Sequence, residues 1–121
     1  MSIGLIAAVG LLGGAGAVAR LLLDGAISER VTVAFPVGTL TVNLVGSLIL
    51  GIVIGAGIGA DGVRLVATGL LGSFTTFSTW IFESHRLAED GEAGVAFANV
   101  AISLVAGVAL AWIGIEIGGA L

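Results

Sequence analysis

Polar side chains recur every four residues within two otherwise apolar stretches of the chain. Thr39, Asn43 and Ser47 form one series, and Asn99 and Ser103 begin another. This spacing places each series on one face of a helix. Polar groups in apolar surroundings are costly unless they are paired or line a cavity, so each is a candidate binding group. Asn43 could either join two helices by hydrogen bonds or contact a ligand.

Residues 72–79 read Gly-Ser-Phe-Thr-Thr-Phe-Ser-Thr in the middle of a further apolar stretch. Glycine and β-branched threonine weaken a helix, and hydroxyl groups can bond backbone groups that leave the helical ladder. A break here would expose carbonyl oxygens, which are ligands for a hard cation such as Na⁺. The pattern favours a broken helix over a continuous one whose hydroxyl groups bond back to their own turn.

Aromatic rings recur every three residues along the same segment, at Phe74, Phe77 and Trp80. Packing is the usual role of such rings. A ring also carries a positive edge, which can stabilise an anion without a formal charge. Arg20, at the end of the first apolar stretch, could reach the lipid headgroups or supply positive potential to an anion path.

Residues for enzyme chemistry are few. The chain has no cysteine, and its one histidine, His85, lies in the polar stretch 83–92, which we expect to be a solvated connection between two spans. We find no buried carboxylate pair, metal-ligand cluster or phosphate-binding glycine loop, so we expect no enzyme. Four basic residues against eight acidic ones form no basic patch, so we expect no nucleic-acid partner.

The elements that position these residues must be membrane helices. Hydrophobic residues make up 58% of the 121 residues and charged residues 10%, with a mean hydropathy of +1.23. A soluble domain carries about 25% charge, whereas a membrane-spanning helix needs about 20 mostly apolar residues. We predict an all-α membrane protein with a single integral membrane domain, 1–121, and four spans near 2–23, 33–59, 63–82 and 93–117.

Glycines extend the polar series, as Gly51, Gly55 and Gly59 do after Ser47, which predicts close helix packing. Loop arginines set the orientation of a membrane protein. With four spans, one side holds Arg64 and the other holds Arg30 and Arg86. This weak bias favours insertion in both orientations, and the alternative is a fixed orientation with Arg30 and Arg86 inside.

Four patches of the chain resemble the Fluc, or CrcB, family of fluoride channels. They are GGAGAVARLLL from Gly13, GTLTVNLVGS from Gly38, GSFTTFSTW from Gly72 and NVAISLVAGVALAWIG from Asn99. The third is similar to the family signature GGxTTFSTF. The chain departs from the family pattern at four positions, where other residues are usual: Leu21, Ser73, Trp80 and Asn99.

The resemblance implies an antiparallel, dual-topology homodimer in the lipid bilayer of the cell membrane. Each subunit would span the membrane several times, and the third helix would break at mid-membrane. The dimer would let cytoplasmic fluoride leave passively, which lowers its toxicity. A central structural sodium ion would be held by the backbone carbonyls of Gly72 and Thr75. The residues that the resemblance assigns to the fluoride pathway are Asn43, Phe77, Trp80, Thr76, Ser103 and Arg20.

Three alternatives remain open at this point. The departures at Trp80 and Asn99 allow a heterodimer with a paralogous subunit, and a non-transporting partner would retain only the glycine packing. A small proton-coupled multidrug exporter has a similar size. That mechanism needs a carboxylate at mid-membrane, whereas Asp24 and Glu116 lie near the ends of their spans.

Overall fold

A computed structural model describes all residues, 1–121, and its regular secondary structure is entirely helical. Three helices are continuous: α1, Ile3–Arg30; α2, Val37–Ala56; and α6, Ala93–Gly119. Between α2 and α6 lie four shorter pieces: α3, Gly59–Val63; a π-helical segment, Arg64–Leu71; α4, Gly72–Phe74; and α5, Ser78–Glu89. These stretches make four helices that are long and apolar enough to cross a membrane, as predicted.

Two helices extend beyond the apolar spans into polar residues. α1 continues to Arg30, whose guanidinium donates to the Ala26 carbonyl at 3.3 Å, and Ser28 donates to Asp24 one turn earlier. α5 continues to Glu89, which lies 2.7 Å from the His85 ring nitrogen. These side chains pair along the helix surface, so the helices do not end where the apolar residues end.

Glycines bring α2 and α6 together over most of their length. A Cβ atom on Gly51 would overlap the Ala111 carbonyl, and one on Gly114 would overlap the Leu48 carbonyl. The next glycine along each helix, Gly55 and Gly118, makes the same kind of backbone contact. The contacting residue numbers increase in the same direction along both helices, so α2 and α6 run parallel. The packing predicted for Gly51 and Gly55 is therefore present, whereas Gly59 has a positive φ of 86° and open space around it.

α1 packs in the same parallel manner on the π-helical segment and α4. A Cβ atom on Gly16 would overlap the Leu70 carbonyl and the Ser73 hydroxyl, and Gly69 approaches the Val9 carbonyl. Beside these contacts, Val42, Leu71 and Phe74 form a small apolar core. α2 thus packs on α6 through its glycines and on the other helix pair through Val42, with its polar face toward the interrupted helix.

Most of the apolar surface is left uncovered. Only 16 of 121 residues are buried, and large side chains such as Phe97, Val105, Val108 and Trp112 are exposed on α6. A soluble monomer rarely exposes contiguous apolar patches of such extent. The exposed side chains therefore face lipid or another protein.

Candidate functional site

The third membrane-crossing stretch is interrupted at residues 75–77. α4 ends at Phe74, Thr75 has an extended conformation with φ −80° and ψ 159°, and α5 begins at Ser78. Both the amide and the hydroxyl of Thr75 donate to the Leu71 carbonyl, at 3.0 and 2.9 Å. The last turn before the break is therefore closed by a side chain as well as by the backbone.

Asn43 on α2 holds the centre of the break. Its Oδ1 accepts the Thr76 amide N–H and its Nδ2 donates to the Thr76 carbonyl, both at 2.8 Å. One amide side chain thus satisfies both backbone groups of a residue that has left the helical ladder. Asn43 was predicted either to join helices or to contact a ligand, and it does the first. One of its two N–H groups remains for a second partner.

The diverted amides leave two carbonyls free. In a regular helix the Gly72 carbonyl would accept the Thr76 N–H, but this group bonds Asn43. The Thr75 carbonyl would accept the Thr79 N–H, which bonds the Thr76 hydroxyl at 3.1 Å instead. Neither carbonyl accepts a hydrogen bond in the structure. Free carbonyl oxygens suit a hard cation, so the two residues fit the sodium ion that the resemblance implies.

A cavity of about 320 Å³ opens on the surface of the chain at the break. Seven of the predicted site residues line it: Asn43, Gly72, Thr75, Thr76, Phe77, Trp80 and Ser103. Its remaining wall is made by Gly46, Ser47, Leu50, Leu71 and Leu104. The lining includes amide and hydroxyl donors, free carbonyls and aromatic rings, but no charged side chain.

The three aromatic residues of the segment have different environments. Phe74 belongs to the apolar core and Trp80 is buried, whereas the Phe77 side chain is 71% exposed. The rings of Phe77 and Trp80 meet edge to face, with centroids 5.4 Å apart and planes at 74°. The Phe77 ring therefore lines the cavity and packs on the Trp80 ring.

Trp80 also joins a buried polar network that sequence analysis missed. The indole Nε1–H donates to the Asn99 carbonyl at 3.3 Å, and Asn99 Nδ2 donates to the Ser84 hydroxyl at 2.8 Å. Ser84 in turn donates to the Trp80 carbonyl at 2.9 Å. The sequence feature that could have indicated this network is the presence of two unusual residues, Trp80 and Asn99, in patches that otherwise match the family.

Arg20 does not line this cavity. It lies with Asp24, Thr39, Val42, Thr76 and Thr79 around a small void beyond the break. Its Nε atom is buried and has no hydrogen-bond partner in the chain. Thr76 is the only predicted residue that touches both spaces.

Glu83 differs from the expectation that residues 83–92 form a solvated connection. It lies in α5 and is half-buried, and its carboxylate accepts a hydrogen bond from the Thr39 hydroxyl. Thr39 thus bonds Glu83 and does not line the cavity with Asn43 and Ser47. His85, two residues later, is exposed and pairs only with Glu89.

The family model described as CrcB-like protein, Camphor Resistance (CrcB), matches residues 7–115. The chain is 44% identical over 104 residues to the fluoride-specific ion channel FluC 2 of Mycobacterium tuberculosis, covering 86% of this chain and 82% of the relative. It is 44% identical over 119 residues to the fluoride-specific ion channel FluC 1 of Symbiobacterium thermophilum, covering 91% of this chain and 94% of the relative.

A third relative, FluC 1 of Nocardia farcinica, is 50% identical over 101 residues, covering 81% of this chain and 70% of the relative. The match to the family model runs through all four helical crossings, including the broken one. The family is one of ion channels and not of enzymes. Together the matched residues and the four apolar crossings show that the chain is a multi-pass membrane protein that belongs to the CrcB family.

Proposed function

We propose that the chain is a subunit of a passive, fluoride-selective channel that lets fluoride leave the cytoplasm. The observation that carries this proposal is the uncharged cavity at the helix break, lined by Asn43, Thr76 and Ser103 beside the exposed Phe77 ring. A small anion needs close hydrogen-bond donors to replace its water. It must also bind weakly enough to leave, which uncharged donors permit. The names of the relatives support fluoride as this anion.

The donors differ in how free they are. Asn43 keeps one N–H after binding Thr76. The Thr76 hydroxyl accepts the Thr79 N–H and otherwise meets only the Ser78 hydroxyl, at 3.5 Å, so it can turn its own proton to the cavity. Phe77 contributes a ring edge, whose partial positive charge attracts an anion. Arg20 adds positive potential from the far side of Thr76, where its buried Nε–H is unpartnered. Fluoride passes between these groups without forming a bond to any charged side chain.

The channel is a dimer in which a second copy closes the open side of the cavity. The large uncovered apolar surface supplies the area for such an interface. Weak arginine bias between the two loop sides favours copies inserted in opposite orientations, which makes the dimer antiparallel. A homodimer needs only this chain. A paralogous partner is the second candidate, since relatives carry the names FluC 1 and FluC 2 and this chain departs from the family at Trp80 and Asn99.

The free carbonyls of Gly72 and Thr75 hold a structural sodium ion between the copies. Each copy contributes two oxygens that no hydrogen bond occupies, so four oxygens are available. When bound, the ion supplies positive charge that no residue of the cavity wall provides. Asn43 and Thr76 serve this site indirectly, because they take the amides that would otherwise occupy the carbonyls.

The test is anion efflux from liposomes that contain only the purified chain, read by fluoride and chloride electrodes in parallel. Fast fluoride loss with little chloride loss is expected, and Asn43→Ala and Phe77→Ala should each lower the fluoride rate. Thr41→Val is the control, because the Thr41 hydroxyl bonds only the Val37 carbonyl of its own helix. No fluoride loss from a folded dimer would reject the homodimer and direct the search to a paralogous subunit.

A further inference from the structure

We infer that Asn99 is a positioning residue that fixes the Trp80 ring and, through it, the Phe77 ring in the cavity wall. The inference rests on the proposed function, because the wall is taken to be that of a fluoride path. Asn99 is fully buried, with 0% exposure, and does not line the cavity itself. It therefore acts through the residues that it contacts.

The Asn99 contacts form a closed circuit with α5. Its backbone carbonyl accepts the indole N–H of Trp80, and its side-chain N–H bonds the Ser84 hydroxyl, which returns to the Trp80 carbonyl. Trp80 is thus held at both its backbone and its ring. A buried network of this kind favours one arrangement, because breaking one of these three hydrogen bonds leaves a polar group without a partner.

Trp80 transmits this constraint to the exposed aromatic ring. Phe77 is 71% exposed and lies in the non-helical interruption, so little else fixes its ring. Its edge-to-face contact with Trp80, at 5.4 Å between centroids, sets the direction in which the ring points. A tilted Trp80 ring would change that direction and hence the ring edge that meets the anion.

The same side chain also reaches the opposite wall. Asn99 Oδ1 accepts the Ser103 hydroxyl at 3.5 Å, a distance at the long end for a hydrogen bond, and Ser103 lines the cavity. A contact this long is readily given up to an anion in the cavity. Asn99 therefore orients one donor on α6 and one aromatic pair at the start of α5, two of the elements that line the cavity.

The spectroscopic test follows the Trp80 ring by ¹⁹F NMR of 5-fluorotryptophan. Trp112, the only other tryptophan, is exposed on α6 away from the cavity, and Trp112→Phe leaves Trp80 as the single probe. In this background the unmodified network should give one narrow resonance. Asn99→Leu and the milder Ser84→Ala should each shift or split it by more than its width, whereas Thr41→Val should not.

The functional test is fluoride efflux from liposomes that contain the same variants. Asn99→Leu should slow fluoride about tenfold, the change that corresponds to losing one hydrogen bond, and Ser84→Ala should slow it in the same direction. In a Ser84→Ala background, where the partner of the Asn99 side-chain N–H is already absent, Asn99→Leu should have a much smaller effect. Thr41→Val should conduct as the parent does.

The outcomes separate the inference from the proposed function. An unshifted resonance in both Asn99→Leu and Ser84→Ala overturns the positioning role whatever the flux. A shifted resonance with unchanged fluoride efflux also overturns it, because the ring position would then not matter for the path. If the parent carries no fluoride, the proposed function fails, while the resonance still decides whether Asn99 positions Trp80.

Discussion

Removing the Asn43 side chain should loosen the helix break by an amount that the structure sets. Asn43→Ala deletes two hydrogen bonds of 2.8 Å to the amide and carbonyl of Thr76. Thr75 is extended, so no helical carbonyl stands ready to replace Asn43 as acceptor. Polar contacts between membrane helices contribute about 0.6 kcal/mol on average and at most about 1.7 kcal/mol each. The pair therefore contributes about 1–3 kcal/mol to holding the break.

Amide hydrogen exchange measures this free energy locally. Since about 1.4 kcal/mol is a factor of ten, peptides covering residues 72–79 should exchange about 5-fold to 150-fold faster in Asn43→Ala than in the parent protein. Thr41→Val is the matched control on the same helix and should leave this exchange unchanged. Equal exchange in Asn43→Ala and Thr41→Val would refute the role given to Asn43.

Three further changes have definite expected results. Gly51→Ala places a Cβ atom against the Ala111 carbonyl and should lower the free energy of unfolding by about 1–3 kcal/mol, measured by chemical denaturation. Gly25→Ala is the control and should not lower this free energy, because the space around Gly25 is open. Thr39→Val leaves the Glu83 carboxylate without its donor and should lower the thermal unfolding midpoint, at a cost of about 1.5–3 kcal/mol; an unchanged midpoint would mean that this bond contributes nothing. Replacing sodium by N-methyl-D-glucamine on both sides should slow fluoride efflux reversibly, and equal rates would argue against a structural sodium ion.

The hydropathy of the chain predicted its all-helical fold, and a cluster of residues that weaken a helix predicted the position of the break. The four apolar runs are each long enough for a membrane-spanning helix. The cluster of glycine, serine and threonine at 72–79 identified the segment that leaves the helix. Spacing also placed Asn43 on a polar face. The sequence could not show that Asn43 faces the Thr76 backbone, because that pairing depends on how α2 docks against α5.

Long-range pairs were beyond sequence reasoning for the same reason. Glu83 was assigned to a polar connection, but the helix continues through it and brings it to Thr39, 44 residues away. Asn99 was placed in a polar series on one helical face, and only the approach of α5 to α6 joins it to Ser84 and Trp80. The departures from the family pattern at Trp80 and Asn99 are thus one contact rather than two independent changes.

The central claim is that this chain forms a passive and selective path for fluoride. The most direct measurement is the reversal potential of the purified chain in a planar lipid bilayer, with a fluoride gradient across it and equal chloride on both sides. The account predicts a current that reverses close to the fluoride equilibrium potential and does not move when a chloride gradient is added. No current from the folded protein, or a reversal that follows chloride or the cation, would contradict it.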